Sequence, residues 1–201
     1  MTKDQLCNLF SIEDINDLPD VVTKLLEGDI KVRDVIFREL ILLNNKDMSY
    51  DWFQEIYELE LAQRRQGKQD FTPNQVGRLA SLLTGNPEGC IHEPTAGNGG
   101  MIIADWWNRC CKYTFPWDHK PSKHMVYCWE LSPRSIPLLL LNLSIRGIMG
   151  YVYHGDVLTR EIKMKYVLLN RTDDTLEFSE IVKDPDGKMQ IVAKATDVTI
   201  K

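Results

Sequence analysis

Eight consecutive residues, Glu93-Pro94-Thr95-Ala96-Gly97-Asn98-Gly99-Gly100, and two later acids, Glu130 and Asp156, have types and spacing that suit chemistry. Gly97, Gly99 and Gly100 permit positive φ and, lacking a Cβ, let the backbone come close to a ligand. A helix opening directly behind them offers its unpaired N–H groups to the same ligand. The turn has no Lys-Ser/Thr pair to meet a β,γ-phosphate and its magnesium. Glu93 opposes a pyrophosphate by Coulomb repulsion and suits a ligand that carries a cationic amine. Glu130 closes a short apolar segment, where a carboxylate accepts hydrogen bonds from ribose hydroxyls, two adjacent donors matching its two oxygens. Asp156 follows a third such segment. The plain alternative is an idle glycine turn with two surface acids, and eight ordered positions speak against it.

The elements that must position these residues read as strand, turn and helix in alternation. A short apolar lead-in from Cys90 precedes the turn, and Met101, Ile102, Ile103, Ala104, Trp106 and Trp107 follow as a helix. An irregular stretch over 112–123, with Tyr113, Phe115 and Trp117, leads to a second strand at 126–129 that ends in Glu130 and Leu131. Its aromatics have the chemistry to stack on a base, although rings tucked onto the core are the commoner outcome. Ser132-Pro133 starts the next helix, in which Pro137 predicts a kink or a late start. The third strand, 151–154, runs into Gly155-Asp156-Val157-Leu158. Glu93, Glu130 and Asp156 then stand on one edge of a parallel sheet, where ligands of such sheets bind. Upstream, Thr72 and Pro73 open a helix as N-cap and first position, with Val76, Leu79, Leu82 and Leu83 on one face. Residues 1–66 read as a helical N-terminal region without strand signals: Ser11 is a candidate cap for a first helix, Val21 to Leu26 and Val32 to Leu43 carry helical periodicity, and Ser49 is a candidate cap for a helix bearing Trp52, Phe53, Ile56 and Tyr57. Residues 67–201 form the α/β domain.

The eight-residue run resembles the cofactor motif of adenine-N6 DNA methyltransferases. It is most similar to that of the modification subunits of type I restriction systems, whose pattern is Asp-Pro-Ala-Cys-Gly-Ser-Gly-Gly. The resemblance implies a class I, Rossmann-like methyltransferase sheet and S-adenosylmethionine as cofactor, held by Glu93, Pro94, Thr95, Gly97, Asn98, Gly99 and Gly100. It implies that Phe71, Thr72 and Pro73, about 20 residues ahead of the glycines, pack over the methionine end of the cofactor. Glu130 with Leu131 takes the ribose side, and Asp156 with Val157 the adenine amine. A helical region ahead of the catalytic fold also occurs in the type I subunits.

The resemblance covers roughly residues 65–170 and stops at the fourth strand, 166–169, which ends in Asn170. In the family this tip reads Asn/Asp-Pro-Pro-Tyr/Phe, and it clamps the target amine and stacks on the flipped base. Here it reads Asn170-Arg171-Thr172-Asp173-Asp174. Both prolines and the aromatic ring are absent, so Asn170 is the one candidate catalytic residue, and nothing else orients a substrate amine. Alternating apolar residues around Asp184-Pro185-Asp186-Gly187 then read as a C-terminal β-hairpin.

With 201 residues and 43% hydrophobic content the chain suits one domain with an appendage. No apolar run approaches the roughly 20 residues of a membrane span, and the N-terminus has no signal pattern, so the expectation is a cytoplasmic protein without membrane contact. Five cysteines form no CxxC pair, and Cys110, Cys111, His119 and His124 match no common zinc module; no metal is expected. A net charge of −5 argues against strong autonomous DNA binding, which needs a basic face. The leading reading is an S-adenosylmethionine-binding relative of adenine-N6 DNA methyltransferases whose catalytic tip is degenerate, with DNA as a weakly held partner. A second reading is an inactive methyltransferase-like regulatory protein that mimics or modulates a modification subunit through protein contacts. A third is a subunit whose catalytic tip is supplied by a partner chain; a homo-oligomer is also open.

Overall fold

Three helices lead the chain: α1 (Lys3–Phe10), α2 (Leu18–Glu27) and α3 (Ile30–Leu43). The computed structural model describes residues 1–57, 72–84, 89–193 and 198–201. Thr2 caps α1 through a capping box with Gln5, each side chain bonding the other's backbone N–H, whereas Ser11 ends the helix in the left-handed region at φ 53°. Ser11 is therefore a C-cap and not the N-cap its type suggests. Leu6, Phe10, Leu18, Val22, Phe37 and Leu40 are buried from these helices. They share one core with Trp52, Phe53 and Ile56 and with Leu138, Leu141 and Ile145 from the α/β region. The boundary expected at residue 66 lies outside the described residues.

The α/β region holds α4 (Asn74–Thr84), β1 (Ile91–Glu93), α5 (Gly100–Cys110), β2 (Val126–Glu130), α6 (Ser135–Ser144), β3 (Gly150–Asp156), β4 (Glu161–Leu169) and β5 (Glu180–Asp184). Strands β1, β2 and β3 are parallel neighbours in that order. Both crossover helices pack on one face of the sheet, where Ile102 and Trp106 of α5 and Ile136, Leu139, Leu140 and Leu143 of α6 meet Val126, Cys128 and Val152. The alternation in β2 makes this possible: Val126, Cys128 and Glu130 are buried, while Tyr127 and Trp129 point to the other face and stack beside His92 and Tyr153. Pro137 falls in the first turn of α6, so the helix starts late and is not kinked.

The sheet departs from the expected one at its fourth strand. β4 runs antiparallel to β3, and β5 antiparallel to β4, giving the order β1-β2-β3-β4-β5. The cause is legible in the chain length between them: four residues, 157–160, join β3 to β4, whereas a parallel return needs a dozen or more, usually a helix. A doubly wound sheet instead adds its fourth strand on the outer side of the first. The helix-period reading of α4 is also turned around. Val76, Leu79, Leu82 and Leu83 are 50–78% exposed, because the helix docks on α5 through its small face. A Cβ on Gly77 would meet Met101 Sδ at 3.2 Å and Ala104 Cβ at 3.4 Å, and Ser81 Oγ donates to Asp105 at 2.7 Å. A C-terminal hairpin is present one pairing later than expected: β6 (Ile191–Ala193) pairs with β7 (Val198–Ile200), while the Asp184–Gly187 turn joins β5 to this second sheet.

Candidate functional site

The C-terminal tips of the three parallel strands carry Glu93, Glu130 and Asp156. The glycine turn crosses the middle tip. Ala96 N donates to Trp129 O at 2.8 Å, and Gly97 N donates to Glu130 Oε2 at 2.7 Å. The other carboxylate oxygen, Oε1, accepts from Ser132 N at 2.7 Å, so Glu130 ties the turn to the start of the segment that leads into α6. A carboxylate offers about four acceptor positions, and these two bonds leave it capacity for a ligand's hydroxyls. Gly97 (φ 56°) and Gly99 (φ 98°) are left-handed, and Gly99 forms the N-cap of α5. Their surroundings differ. Nothing lies within 4 Å of a Cβ built on Gly97, whereas one on Gly99 meets Leu139 Cδ1 at 3.0 Å. Gly97 borders open space over the strand tips. Gly99 lets α5 approach α6.

Glu93 folds back on its own turn, its Oε1 accepting from Thr95 N at 3.1 Å and from Thr95 Oγ1 at 3.4 Å, with Pro94 exposed between them. Asp156 Oδ1 accepts from Leu158 N at 2.8 Å, an Asx turn that starts the tight β3–β4 connection. Leu131 is 55% exposed beside Glu130, and Val157 is half-buried beside Asp156. Asn98 and Gly100 complete the turn, Asn98 almost fully buried. The structure thus collects Glu93, Pro94, Thr95, Gly97, Asn98, Gly99, Gly100, Glu130, Leu131, Asp156 and Val157 on one edge of the sheet. Thr72 and Pro73 are exposed ahead of α4, where Thr72 O accepts from Gln54 Nε2 at 3.1 Å; no hydrogen bond joins them to the turn among the described residues. Phe71 lies outside the described residues.

Asn170 is not on this edge. Because β4 is antiparallel, Leu168 pairs with Gly150 at the start of β3, and Asn170 sits at the opposite end of the sheet from Asp156. It is fully buried, and its Nδ2 faces the carbonyls of Gly147, Asp174 and Glu177 at 3.2, 2.8 and 3.1 Å. Its Oδ1 accepts from Asp174 N and from Thr172 Oγ1. The amide is spent on the β4–β5 loop. The acids beside it are occupied too: Asp173 accepts from Ser122 N and Oγ of the loop before β2, both at 2.7 Å, and Asp174 Oδ1 accepts from Leu176 N at 2.9 Å.

A buried polar chain under the turn escaped the motif reading. Asp51 is 2% exposed and its Oδ1 accepts from Phe53 N at 3.0 Å and from Asn142 Nδ2 at 2.9 Å. Asn142 Nδ2 also donates to Asn98 O at 2.8 Å. Below them Arg146, 1% exposed, donates to Asn142 O and Oδ1, to Met48 O and to Tyr50 O, with its guanidinium 4.6 Å from the Trp52 ring. Burial pushes the Asp51 carboxyl up and the Arg146 guanidinium down to about 9, each charge being costly away from water. The one visible trace in the sequence is Asn142, which interrupts the leucine run of α6. His119 and His124 stack at 4.6 Å in the loop before β2, with Tyr113 Oη 2.9 Å from His124 Nε2. No cluster of three or more potential metal ligands occurs among the described residues, and no helix among them is long and apolar enough to cross a membrane.

Comparison with known families matches residues 48–187 to the model described as N-6 DNA Methylase. No curated protein and no solved structure matches the chain. The matched span begins just ahead of Asp51 and includes the glycine turn, all three acidic tips and Asn170.

Proposed function

The chain belongs to the N-6 DNA methylase family, and from that membership we propose that it binds S-adenosylmethionine on the edge formed by Glu93, Glu130 and Asp156, without directing methyl transfer to adenine on its own. The observation that carries this reading is the opposition of two ends of one sheet. The glycine turn, locked to Glu130 at 2.7 Å, stands at one end, and Asn170, consumed by its own loop, stands at the other.

The residues present fit the cofactor. Open space over Gly97 admits a ligand against the backbone, Glu130 keeps acceptor capacity for ribose hydroxyls, and Asp156 uses only Oδ1 in its Asx turn. Glu93 would face the amine of the methionine portion. When bound, the cofactor would supply an electrophilic methyl group. This chain's own residues would hold and orient it; none of the described residues at that edge clamps an acceptor amine. The β1–α5–β2–α6–β3 unit is the half of a class I, Rossmann-like methyltransferase sheet that receives the cofactor, and within the family we infer kinship with modification subunits of type I restriction systems.

The same opposition favours a regulatory role as the second reading: a member of a methylase family that has kept its ligand edge and acts through protein contacts, or with a tip supplied by another chain. Titration calorimetry with S-adenosylmethionine and with its demethylated product tests the first reading. Saturable binding that weakens in Asp156→Ala is expected. No heat at millimolar ligand would leave only the kinship.

A further inference from the structure

The glycine turn is held from below by a residue outside the strand–turn–helix motif. The single amide nitrogen of Asn142 bridges the Asp51 carboxylate and the Asn98 carbonyl, at 2.9 and 2.8 Å. That orientation is forced. Arg146 can only donate, and its Nη1 lies 3.0 Å from Asn142 Oδ1, so the other side of the amide must carry the hydrogens. Both hydrogens are then used, one on Asp51 and one on the turn. The Asn98 side chain sits against the same carboxylate, and the Asp51 Cβ lies 3.9 Å from the position of a Cβ on Gly100. Asn98 stands between the two left-handed glycines. Fixing its carbonyl therefore fixes the Asn98–Gly99 peptide plane, whose N–H closes the turn on Ala96 O at 2.8 Å, and with it the course of the turn that would face a ligand.

We propose that Asp51 is a positioning residue for the cofactor turn, acting through Asn142 to hold the Asn98 carbonyl, so that the segment ahead of the α/β unit is part of the cofactor site. The proposal rests on the reading of that turn as the ligand loop. Its chemistry is preorganisation: a turn fixed before binding does not spend ligand affinity on its own ordering. The Arg146 guanidinium works against the burial that raises the Asp51 carboxyl, and Asn142 transmits the arrangement.

The test exchanges the pair. In Asp51→Asn/Asn142→Asp the new carboxylate still receives Arg146 and the new amide, so charge balance is kept, but no donor remains for the Asn98 carbonyl. Two readouts are taken, the melting temperature with hydrogen exchange at the Gly97, Gly99 and Gly100 amides, and S-adenosylmethionine affinity by calorimetry. The exchanged pair should fold with a modestly lowered melting temperature, exchange faster at those amides, and bind about tenfold more weakly, as for one lost hydrogen bond to a buried carbonyl. Should it not fold, Asp51→Asn alone weakens the acceptor that orients the Asn142 amide and should show the same split in smaller measure. Unchanged turn exchange and unchanged affinity in a folded variant would reduce the network to scaffolding and overturn the proposal. If the parent chain binds no S-adenosylmethionine, the cofactor reading fails, and the turn amides alone still decide whether Asp51 holds the turn.

Discussion

Glu130 accepts the backbone amide of Gly97 across 33 residues of sequence at 2.7 Å. The acid that the strand tip presents to a ligand is thus also the anchor of the loop that would cover that ligand. Replacing it should damage both. Glu130→Ala leaves the Gly97 and Ser132 amides without their acceptor, at a cost of about 2 kcal/mol for bonds to a charged group. A lowered Tm together with lost ligand binding is the expected outcome. Loss of binding at unchanged Tm would show that the anchor contributes nothing to the fold.

The two glycines should separate. Gly97→Ala places a side chain at φ 56° in open space, with a backbone cost of roughly 1–2 kcal/mol. Gly99→Ala adds an overlap with Leu139 at 3.0 Å to a comparable backbone cost, and crowding of this kind costs roughly a further 1–3 kcal/mol. Thermal melts should rank Gly99→Ala below Gly97→Ala in stability. Affinity normalised for folding should rank them the other way, because only Gly97 borders the ligand space. Equal losses on both scales would contradict this division of roles.

Much of this edge can be read from residue types alone. The turn is visible because left-handed backbone and close approach restrict its positions to glycine, and Glu130 because an acid closing an apolar run has few structural reasons to be there. The rest depends on what lies between elements. The antiparallel β4 follows from a four-residue connection that motif reading passes over in favour of the strand itself. The face of α4 is decided by Gly77 and Ser81, whose smallness permits close packing that a count of apolar residues does not register. Asp51 is invisible for a different reason: its partners Asn142 and Asn98 are 91 and 47 positions away, and nothing local marks a buried carboxylate.

The stacked histidines make stability depend on pH. His119 is 1% exposed and neither ring nitrogen has a hydrogen-bond partner. Burial, with His124 and Arg109 nearby, lowers its pKa to about 4 from an ordinary 6.5. Between these values the unfolded chain binds a proton that the folded chain refuses, so stability rises with pH across the window. The contribution is fully present above pH 6.5 and is lost as pH falls toward 4. Denaturant midpoints measured from pH 7.5 to 4.5 should therefore decline, and His119→Phe should flatten that decline. An unchanged slope in the variant would assign the acid sensitivity to other groups.

Asn170 should behave as a structural residue. Its fully buried amide meets three carbonyls and accepts two donors, so Asn170→Ala leaves several loop groups unpaired at a cost of about 2–3 kcal/mol. Ligand affinity on the far edge of the sheet should not follow that loss. The same geometry bears on the chemistry. Adenine-N6 transfer needs the target amine held within reach of the methyl donor, and here the residue that the family motif would use stands at the other end of β4 from the cofactor edge. The isolated chain should therefore transfer no methyl group to duplex DNA and bind it only weakly, the more so as salt rises, since its net charge is −5 and its Arg171 is already paired with Glu180 at 2.8 Å. A filter assay with tritiated S-adenosylmethionine measures this directly. Label incorporated into DNA by the parent chain, and lost in both Asp156→Ala and Asn170→Ala after correction for folded fraction, would mean that β4 reaches the cofactor in another arrangement and that the chain is a methyltransferase in its own right.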